Sequence, residues 1–590
     1  MMMDVDALYD EQMARAIEES MKEQKKPNPE DDIIVISSDE EDAPAKPPPP
    51  PKPKEKTAAN SFLSERAQME KERRERVRQR RLAQGLKDEE EEPDKGDEAE
   101  VAAPPPKRAT PSSSKPTDPL FFEGELRPTA VSGGEPRLDG KPTFRLSEVL
   151  GNKSDISFAI LSSYASDIAW MHGFFEHGTP VIFVDQPDQG KSFEIQMKYV
   201  LPGWIRLTPK LHGPYGCQHM KYMVLFYNTG RMRVVVSSAN LIPIDWSILE
   251  NVVWLQDLPP RASAIPHDPK ATDDFAAVLQ RILKYMGVGD ALAILRTEHP
   301  KLPLESINDL RRRWDFSKVK AHLIPSLAGK HEGWPTVIQT GHTRLMKAIM
   351  DMKLGSRPGD LSLEYQGSSI GLYSKSWLNE FYNSALGRSG EDLLKNKARY
   401  RDKPVAGKIS IVYPSRTTVR ASKRGEPGGG TMFCKRAYWA KLNEMGSNVG
   451  MFDSKSKAGP VLMHTKMILG LLKQEEEDEG EEEEFEVGKV DARAKARLQE
   501  KRSQKGKNRE KEKPLGWAYI GSHNFTPSAW GTLSGSAFNP ALSIKNYELG
   551  IVFPINSEAE LERITLWERP LRKYGSGDVP WIQEESLAFA

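Results

Sequence analysis

Two distant stretches of this chain carry the same polar residues in the same order. The first reads QHMKYMVLFYNTGRMRVVVSSANLIPIDW, and the second reads LMHTKMILG and, much later, YIGSHNFTPSAW. In both, a His-x-Lys pair on an apolar run precedes a small-residue turn that ends in Asn, with Pro and Trp beyond at equal offsets. The two polar sets are His219, Lys221 and Asn240, and His464, Lys466 and Asn524. The repeat predicts a duplicated half-domain with one site where the copies meet.

Apolar segments around each copy predict alternating strands and helices. PVIFVDQ and KISIVYPS are typical of buried strands, and DDFAAVLQRILKYMG is typical of a helix. The turn Asn228-Thr229-Gly230 predicts a hairpin between the first His-x-Lys run and the strand before the Asn. We expect an α/β protein built from two similar α-β-α sandwich halves, residues 117–322 and 323–590, related by a pseudo-twofold axis.

The composition indicates the cellular compartment of the protein more clearly than it indicates its partners. The formal charge is zero over 590 residues, so global electrostatics indicates no particular partner. Two cysteines, Cys217 and Cys434, are too few for a disulfide framework or a thiolate zinc site, which fits a reducing compartment. The N-terminus is acidic, unlike a secretory signal, and no apolar run approaches the ~20 residues that span a bilayer. We expect a soluble intracellular protein that does not engage a membrane.

Residues 1–116 form a tail that we expect to be disordered, because proline runs and like-charge blocks cannot bury enough apolar surface to offset chain entropy. Residues 61–86 resemble a charged helix whose basic end fits either a nuclear-import signal, a nucleic-acid contact or a merely solvated helix. A second charged block, residues 474–513, interrupts the second copy between its His-x-Lys pair and its Asn turn. We expect it to be a disordered surface insertion.

Residues 10–23, DEQMARAIEESMKE, predict one short amphipathic helix in the tail. Met13, Ile17 and Met21 repeat every four positions, and the small Ala16 and Ser20 lie beside that stripe. The pattern resembles a ubiquitin-interacting motif. The alternative is a frayed, solvated helix.

Residues 31–42, DDIIVISSDEED, combine a β-branched run with acids. Such a run can add as a strand to the sheet edge of another protein, and the acids then meet a basic groove. The segment resembles a SUMO-interacting motif, and the alternative is a chance apolar run. Phosphorylation of Ser37 or Ser38 adds negative charge and should strengthen contact with a basic partner.

The repeated set of residues suits chemistry on an anion. Two lysines and two amides converging on one point favour a phosphate, whose charge is spread over its oxygens. One imidazole can attack phosphorus while the other protonates the leaving oxygen, and the roles reverse when water completes the reaction. A covalent phosphohistidine then lies between the two steps. Nothing in the pattern calls for a divalent metal or another cofactor.

The His-x-Lys runs resemble the phospholipase D superfamily. Members usually carry an Asp five positions after the Lys, but this chain has Phe226 and Leu471 there. The missing Asp and the two later Asn residues resemble the tyrosyl-DNA phosphodiesterase branch of that superfamily instead. The stretches SSANLIPIDW, SLAGKHEG, YQGSSIG, GSHNFTPSAWG and YELGIVFP carry the resemblance. It implies a phospholipase D-like fold.

The resemblance also implies roles for individual residues. His219 is the implied nucleophile and His464 the implied general acid, while the lysines and asparagines hold phosphoryl oxygens. Glu548 matches a family carboxylate that hydrogen-bonds a catalytic His and tunes its basicity. Asn251 occupies the equivalent place in the first copy, where relatives often carry Gln, and the adjacent Glu250 is an alternative.

Several further residues match positions that contact DNA in the family. Tyr215 matches an aromatic residue that stacks on a base, an interaction of about 1–3 kcal/mol. Ser368, Ser369, Thr526 and Ser528 match phosphate contacts, although Pro527 stands where some relatives place a Lys.

By this resemblance the chain hydrolyses the 3′-phosphodiester between DNA and a topoisomerase I tyrosine, without a metal, in nuclear DNA repair. The expected substrates are single-stranded or frayed DNA ends with 3′ adducts and the attached topoisomerase peptide. We expect a monomer, with ubiquitin and SUMO as further partners of the tail. The alternatives are a phospholipase or general nuclease of the same superfamily, and a non-catalytic adaptor.

Overall fold

The computed structural model describes residues 118–188, 194–213, 216–396, 403–474 and 514–589. These residues all belong to one compact unit. The tail motifs predicted at 10–23 and 31–42, and most of the insertion predicted at 474–513, lie outside the described residues.

A mixed eight-stranded sheet forms the first half, in the order β1-β8-β7-β6-β2-β3-β5-β4. Its strands are β1 (Glu125–Pro128), β2 (Ile156–Ser162), β3 (Val181–Val184), β4 (Gln196–Leu201), β5 (Trp204–Thr208), β6 (Tyr222–Tyr227), β7 (Met232–Ser237) and β8 (Val252–Leu258). The predicted hairpin joins β6 to β7, and Gly230 supplies the positive φ of 82° that its turn requires.

Helices cover both faces of this sheet. They are α1 (Leu146–Leu150), α2 (Ile168–His172), α3 (Pro243–Ser247), α4 (Phe275–Tyr285), α5 (Val288–Glu298) and α6 (Asp309–Arg313), with a 3-10 turn at Lys153–Asp155. The predicted helix in DDFAAVLQRILKYMG is α4, and it begins where the Asp274 carboxylate accepts a hydrogen bond from the Ala277 amide. Because both faces of the sheet are covered, β6 is apolar at every position rather than alternating.

A seven-stranded sheet forms the second half, in the order β13-β12-β11-β14-β15-β18-β9. Its strands are β9 (His322–Ser326), β11 (Leu361–Gln366), β12 (Lys408–Tyr413), β13 (Val449–Asp453), β14 (Met467–Leu472), β15 (Gly516–Gly521) and β18 (Glu548–Ile555). Its helices are α7 (Trp334–Val337), α8 (Gly341–Asp351), α9 (Lys375–Ala385), α10 (Gly390–Lys395), α11 (Arg416–Ala421), α12 (Arg436–Asn443), α13 (Pro527–Trp530) and α14 (Glu558–Ile564), with 3-10 turns at Glu426–Thr431 and Gln583–Glu585.

The seven strands of the second sheet have the same order and pairing directions as seven strands of the first, whose edge strand β4 has no counterpart. β2 and β11 each pair in parallel with the next strand on one side and antiparallel with the His-x-Lys strand on the other. One apolar core contains Val224 and Val234 of the first sheet together with Leu469, Ala518 and Ile551 of the second. The sheets therefore pack against each other through a shared layer, and the predicted α/β class with duplicated halves is confirmed.

A small third sheet lies outside the duplication. Its strands are β10 (Gly329–Glu332), β16 (Thr532–Gly535) and β17 (Pro540–Ile544), paired in the order β10-β17-β16. The sequence patterns did not predict it, because β10 and β16 are short, partly exposed and lack an apolar run, and β17, although mostly buried, has only five residues and begins at Pro540. The predicted boundary between residues 322 and 323 falls at the first residue of β9.

Candidate active site

Each His-x-Lys segment lies just before its strand and crosses to the other half. The backbone amide of His219 donates to the carbonyl of Tyr547, and that of His464 donates to the carbonyl of Glu250, both at 2.8 Å. β6 and β14 begin directly after Lys221 and Lys466, and the residues before each lysine pair with the other half instead. This exchange brings the two histidine segments to one place.

Both lysines fold back in the same way. Nζ of Lys221 donates to the carbonyl of His219 at 2.9 Å, and Nζ of Lys466 donates to that of His464 at 2.7 Å. The two residues are 1% and 0% exposed. Two ammonium groups held out of water at one site create a strong preference for an anion.

The two asparagines follow β7 and β15. Oδ1 of Asn240 accepts the Ala165 amide at 3.3 Å, which leaves the NH₂ end of its side chain as the donor for a substrate. The carbonyl of Asn240 accepts Nε1 of Trp246 at 2.8 Å, so the repeated Trp stabilises this turn. Oδ1 of Asn524 is buried without a hydrogen-bond partner among the described residues.

His219 is oriented by a carboxylate of the second half. Its Nδ1 lies 2.8 Å from Oε2 of Glu548, and the same oxygen accepts the Ser522 hydroxyl at 2.6 Å. Burial, and then the charges of Lys221 and Lys466, hold the pKa of His219 well below its ordinary value. Burial thus favours the neutral imidazole, and in the tautomer whose Nδ1–H donates to Glu548 the lone pair is on Nε2.

His464 has a different carboxylate beside it, which the sequence analysis did not identify. Its Nδ1 lies 3.3 Å from Oδ2 of Asp245, and both side chains are at least nine-tenths buried. Burial and Lys466 lower the pKa of His464, while Asp245 opposes that shift. The only signal in the sequence was the Asp in IPIDW, where the second copy has Ala529.

Asn251 and Glu250 lie next to this site without touching His464 through their side chains. The amide of Asn251 accepts the Ser238 hydroxyl at 2.9 Å and donates to the carbonyls of Asp245 and Leu249. The carboxylate of Glu250 binds Arg137 and the Ser456 hydroxyl.

The residues predicted to contact DNA occupy different environments. Ser368 is buried, Ser369 and Ser528 are half-buried, and Tyr215 lies outside the described residues. The Thr526 hydroxyl accepts the Ala529 amide at 3.2 Å and so caps α13.

Tyr164, which the sequence analysis also missed, adds an aromatic wall. Its ring lies edge-on to His219 with centroids 5.2 Å apart, and Nζ of Lys221 is 5.7 Å from the ring centre. It follows β2 in the loop SSYASD, where strand ends of the sheet meet.

The site therefore joins two imidazoles, two lysines and two amides at a junction of equivalent segments. The histidine side chains are each 10% exposed, so neither is completely sealed from solvent. Such an arrangement can hold a phosphate, form a bond from Nε2 to phosphorus and move a proton to a leaving oxygen. Among the helices of the described ranges, none has the length and apolar character to cross a membrane.

Comparison with known proteins identifies relatives over most of the chain. The tyrosyl-DNA phosphodiesterase family matches residues 126–575. Tyrosyl-DNA phosphodiesterase 1 of Arabidopsis thaliana is 26% identical over 68% of this chain and 57% of its own length. The probable tyrosyl-DNA phosphodiesterase of Caenorhabditis elegans is 23% identical over 82% of this chain and 94% of its own length. The chain thus spans little more than half of the first of these relatives.

A solved structure supports the fold. The crystal structure of the yeast tyrosyl-DNA phosphodiesterase aligns with a TM-score of 0.50 at 15% identity, and covers 78% of this chain and 99% of the yeast chain. The family match extends from the first strand of the first sheet to beyond the last strand of the second, and includes both histidine segments. The chain belongs to the tyrosyl-DNA phosphodiesterase family.

Proposed function

We propose that this protein is a metal-independent phosphodiesterase that hydrolyses the 3′-phosphodiester between DNA and the tyrosine of topoisomerase I. The observation that carries this proposal is the pair of imidazoles, each with its own carboxylate, beside two buried lysines. Membership of the tyrosyl-DNA phosphodiesterase family supports a 3′-phosphotyrosyl end as the substrate of this chemistry.

In the first step, Nε2 of His219 forms a bond to phosphorus as the bond to the phenolic oxygen breaks. The electron pair leaves with that oxygen, which takes the proton from Nε2 of His464. The pKa of His219 is lowered more strongly than that of His464, whose partner Asp245 opposes the lowering, so His464 is the more readily protonated of the two and is the better proton donor. Lys221, Lys466 and the asparagine amides bind the phosphoryl oxygens.

In the second step, a water oxygen bonds to phosphorus and the bond from phosphorus to Nε2 breaks. Nε2 of His464 now accepts the proton from that water. The products are DNA with a 3′-phosphate, a free His219 and a protonated His464 ready for another turnover.

A denaturing gel of the protein mixed with a 3′-phosphotyrosyl oligonucleotide tests this mechanism. Wild type should convert the oligonucleotide to the 3′-phosphate, including in excess chelator. His219→Ala should form no covalent DNA adduct, whereas His464→Ala should accumulate one. His267→Ala, which alters an exposed histidine, is the control and should behave as wild type. Absence of an adduct in His464→Ala, or loss of wild-type activity in chelator, contradicts the proposal.

We also propose that the protein acts in the nucleus as a monomer, on single-stranded or frayed ends, with the tail recruiting it to modified topoisomerase. The support is the ubiquitin-interacting-like pattern at 10–23, the SUMO-interacting-like pattern at 31–42 and the basic segment within 61–86. DNA contacts by Tyr215, Ser368, Ser369, Thr526 and Ser528 belong to the same proposal.

A further inference from the structure

The two copies place their single carboxylates at different positions. α3 and α13 are equivalent helices whose third residues are Asp245 and Ala529. The residues just before or at the start of β8 and β18 are Asn251 and Glu548, and each accepts a serine hydroxyl, from Ser238 and Ser522. Where one copy has Asp and Asn, the other has Ala and Glu. Each copy therefore supplies one buried carboxylate that contacts a histidine of the site, but from a different element.

Both carboxylates nevertheless reach the same atom of a histidine in the other half. Glu548 contacts Nδ1 of His219, and Asp245 contacts Nδ1 of His464. Asn251 contacts neither imidazole, but its amide donates to the backbone carbonyl of Asp245 at 2.9 Å. The amide thus stabilises the turn that presents the Asp.

Asp245 is also bound to the phosphate-binding side of the site. Its Oδ2 accepts the backbone amide of Asn240 at 2.6 Å, and Oδ1 is buried without a hydrogen-bond partner among the described residues. Burial raises the pKa of Asp245, but His464, the Asn240 amide and Lys466 outweigh it and keep the carboxyl ionised. The contact with His464 is long and poorly directed for a hydrogen bond, as is common before substrate tightens a catalytic site.

We propose that Asp245 is the positioning residue of the general acid, holding His464 with Nε2 toward the leaving oxygen and stabilising its protonated form. This inference rests on the proposed function. A carboxylate stabilises a neighbouring imidazolium, whereas a neutral amide does not. The equivalence of Asn251 to Glu548 implied that Asn251 orients His464, but Asp245 is the residue that can do so.

The leaving group distinguishes this role from a structural one. The tyrosine phenol has a pKa of ~10 and needs a proton as it departs, whereas 4-nitrophenol is a stronger acid and departs without one. Loss of the carboxylate should therefore slow the first step on a 3′-phosphotyrosyl oligonucleotide much more than on the 3′-(4-nitrophenyl phosphate) oligonucleotide. If the variant instead acted by displacing Asn240, cleavage of both esters should slow equally.

The experiment is single-turnover cleavage of both esters by wild type, Asp245→Asn and Asp309→Asn. Asp309 is a buried carboxylate in α6, outside the site, and serves as the matched control. In Asp245→Asn the ratio of the nitrophenyl rate to the tyrosyl rate should rise at least ~10-fold over wild type. In Asp309→Asn the ratio should not change.

A double variant, Asp245→Ala with Asn251→Glu, copies the arrangement of the second half and should return the ratio to within about threefold of wild type. If Asp245→Asn does not fold, Asp245→Ala carries the test, and an unchanged ratio in that folded variant overturns the inference. An unchanged ratio in folded Asp245→Asn also overturns it, while leaving the proposed function intact. A wild type that cleaves neither ester refutes the proposed function itself.

Discussion

His219 and Glu548 are 329 positions apart, yet Nδ1 of the imidazole lies 2.8 Å from Oε2 of the carboxylate. The contact joins the histidine segment of the first half to the first residue of a strand in the second. The tautomer of His219 is thus set by the opposite half.

We expect Glu548→Gln to slow formation of the proposed covalent DNA adduct by about 10–100-fold, the loss typical when the partner that orients a metal-ligating histidine is removed. Single-turnover kinetics on a 3′-phosphotyrosyl oligonucleotide measures the rate. Glu364→Gln is the matched control, because Glu364 is a buried carboxylate that binds Trp567 and Arg569 instead. Equal effects of the two variants contradict the role of Glu548.

The buried ion pair between Arg137 and Glu250 should be important for stability. Burial raises the pKa of Glu250, and Arg137 counters that shift. Arg137→Met leaves the carboxylate buried without its cation, so we expect the free energy of unfolding to fall by about 3–5 kcal/mol. Denaturant titration measures it. Adding Glu250→Gln to Arg137→Met should recover part of the loss. If Arg137→Met alone lowers the free energy of unfolding by less than ~1 kcal/mol, the ion pair is not important for stability.

Acid should destabilise the fold through its buried histidines. Burial lowers the pKa of His523 to about 3, and its ring stacks on Trp530 at 4.1 Å. Between the ordinary pKa of ~6.5 and that value the unfolded chain binds a proton that the folded chain does not. The free energy of unfolding therefore decreases as the pH is lowered through this range, by up to about 1.4 kcal/mol per pH unit for this group.

Denaturant titrations across that range test the sign and the source. His523→Gln should be less stable than wild type at neutral pH, yet its stability should depend less steeply on pH. His219 and His464 contribute in the same direction, so part of the slope should persist. A variant with the full wild-type slope contradicts the assignment to His523.

Deletion of residues 1–42 should separate recruitment from catalysis. The predicted motifs lie in that segment, and the site is built from residues beyond it, so oligonucleotide cleavage should be unchanged. Binding to ubiquitin or SUMO chains, measured by pull-down with purified chains, should weaken. Equal binding by the truncated and full chains rules out the recruitment proposal.

The sequence patterns predicted the α/β class, the duplication and the strands around the repeats, because apolar runs and repeated polar residues are local signals. Asp245 could not be found in the same way. Its equivalent is Ala529, so comparison of the copies directs attention to Asn251 and Glu548 instead. Tertiary packing decides which helix or strand places a carboxylate beside each histidine, and an internal repeat in the sequence does not reveal that packing.

Other features depend on contacts between distant segments. The pairing of His219 with Tyr547 and of His464 with Glu250 turns apolar residues that look like strand into crossing loops. The partnership of Arg137 with Glu250 likewise joins residues that no spacing rule connects. Tyr164 lies in a small loop that is not part of the repeated motifs, so the repeat did not identify it as a site residue.

The crossing of the histidine segments has a consequence for synthesis of the protein. When a ribosome has made the first histidine, lysine and asparagine, His219 still lacks both the carbonyl of Tyr547 and the carboxylate of Glu548. The nascent polypeptide therefore has no complete site until those residues have emerged and folded. A truncated product that ends before them should lack the proposed activity altogether rather than retain part of it.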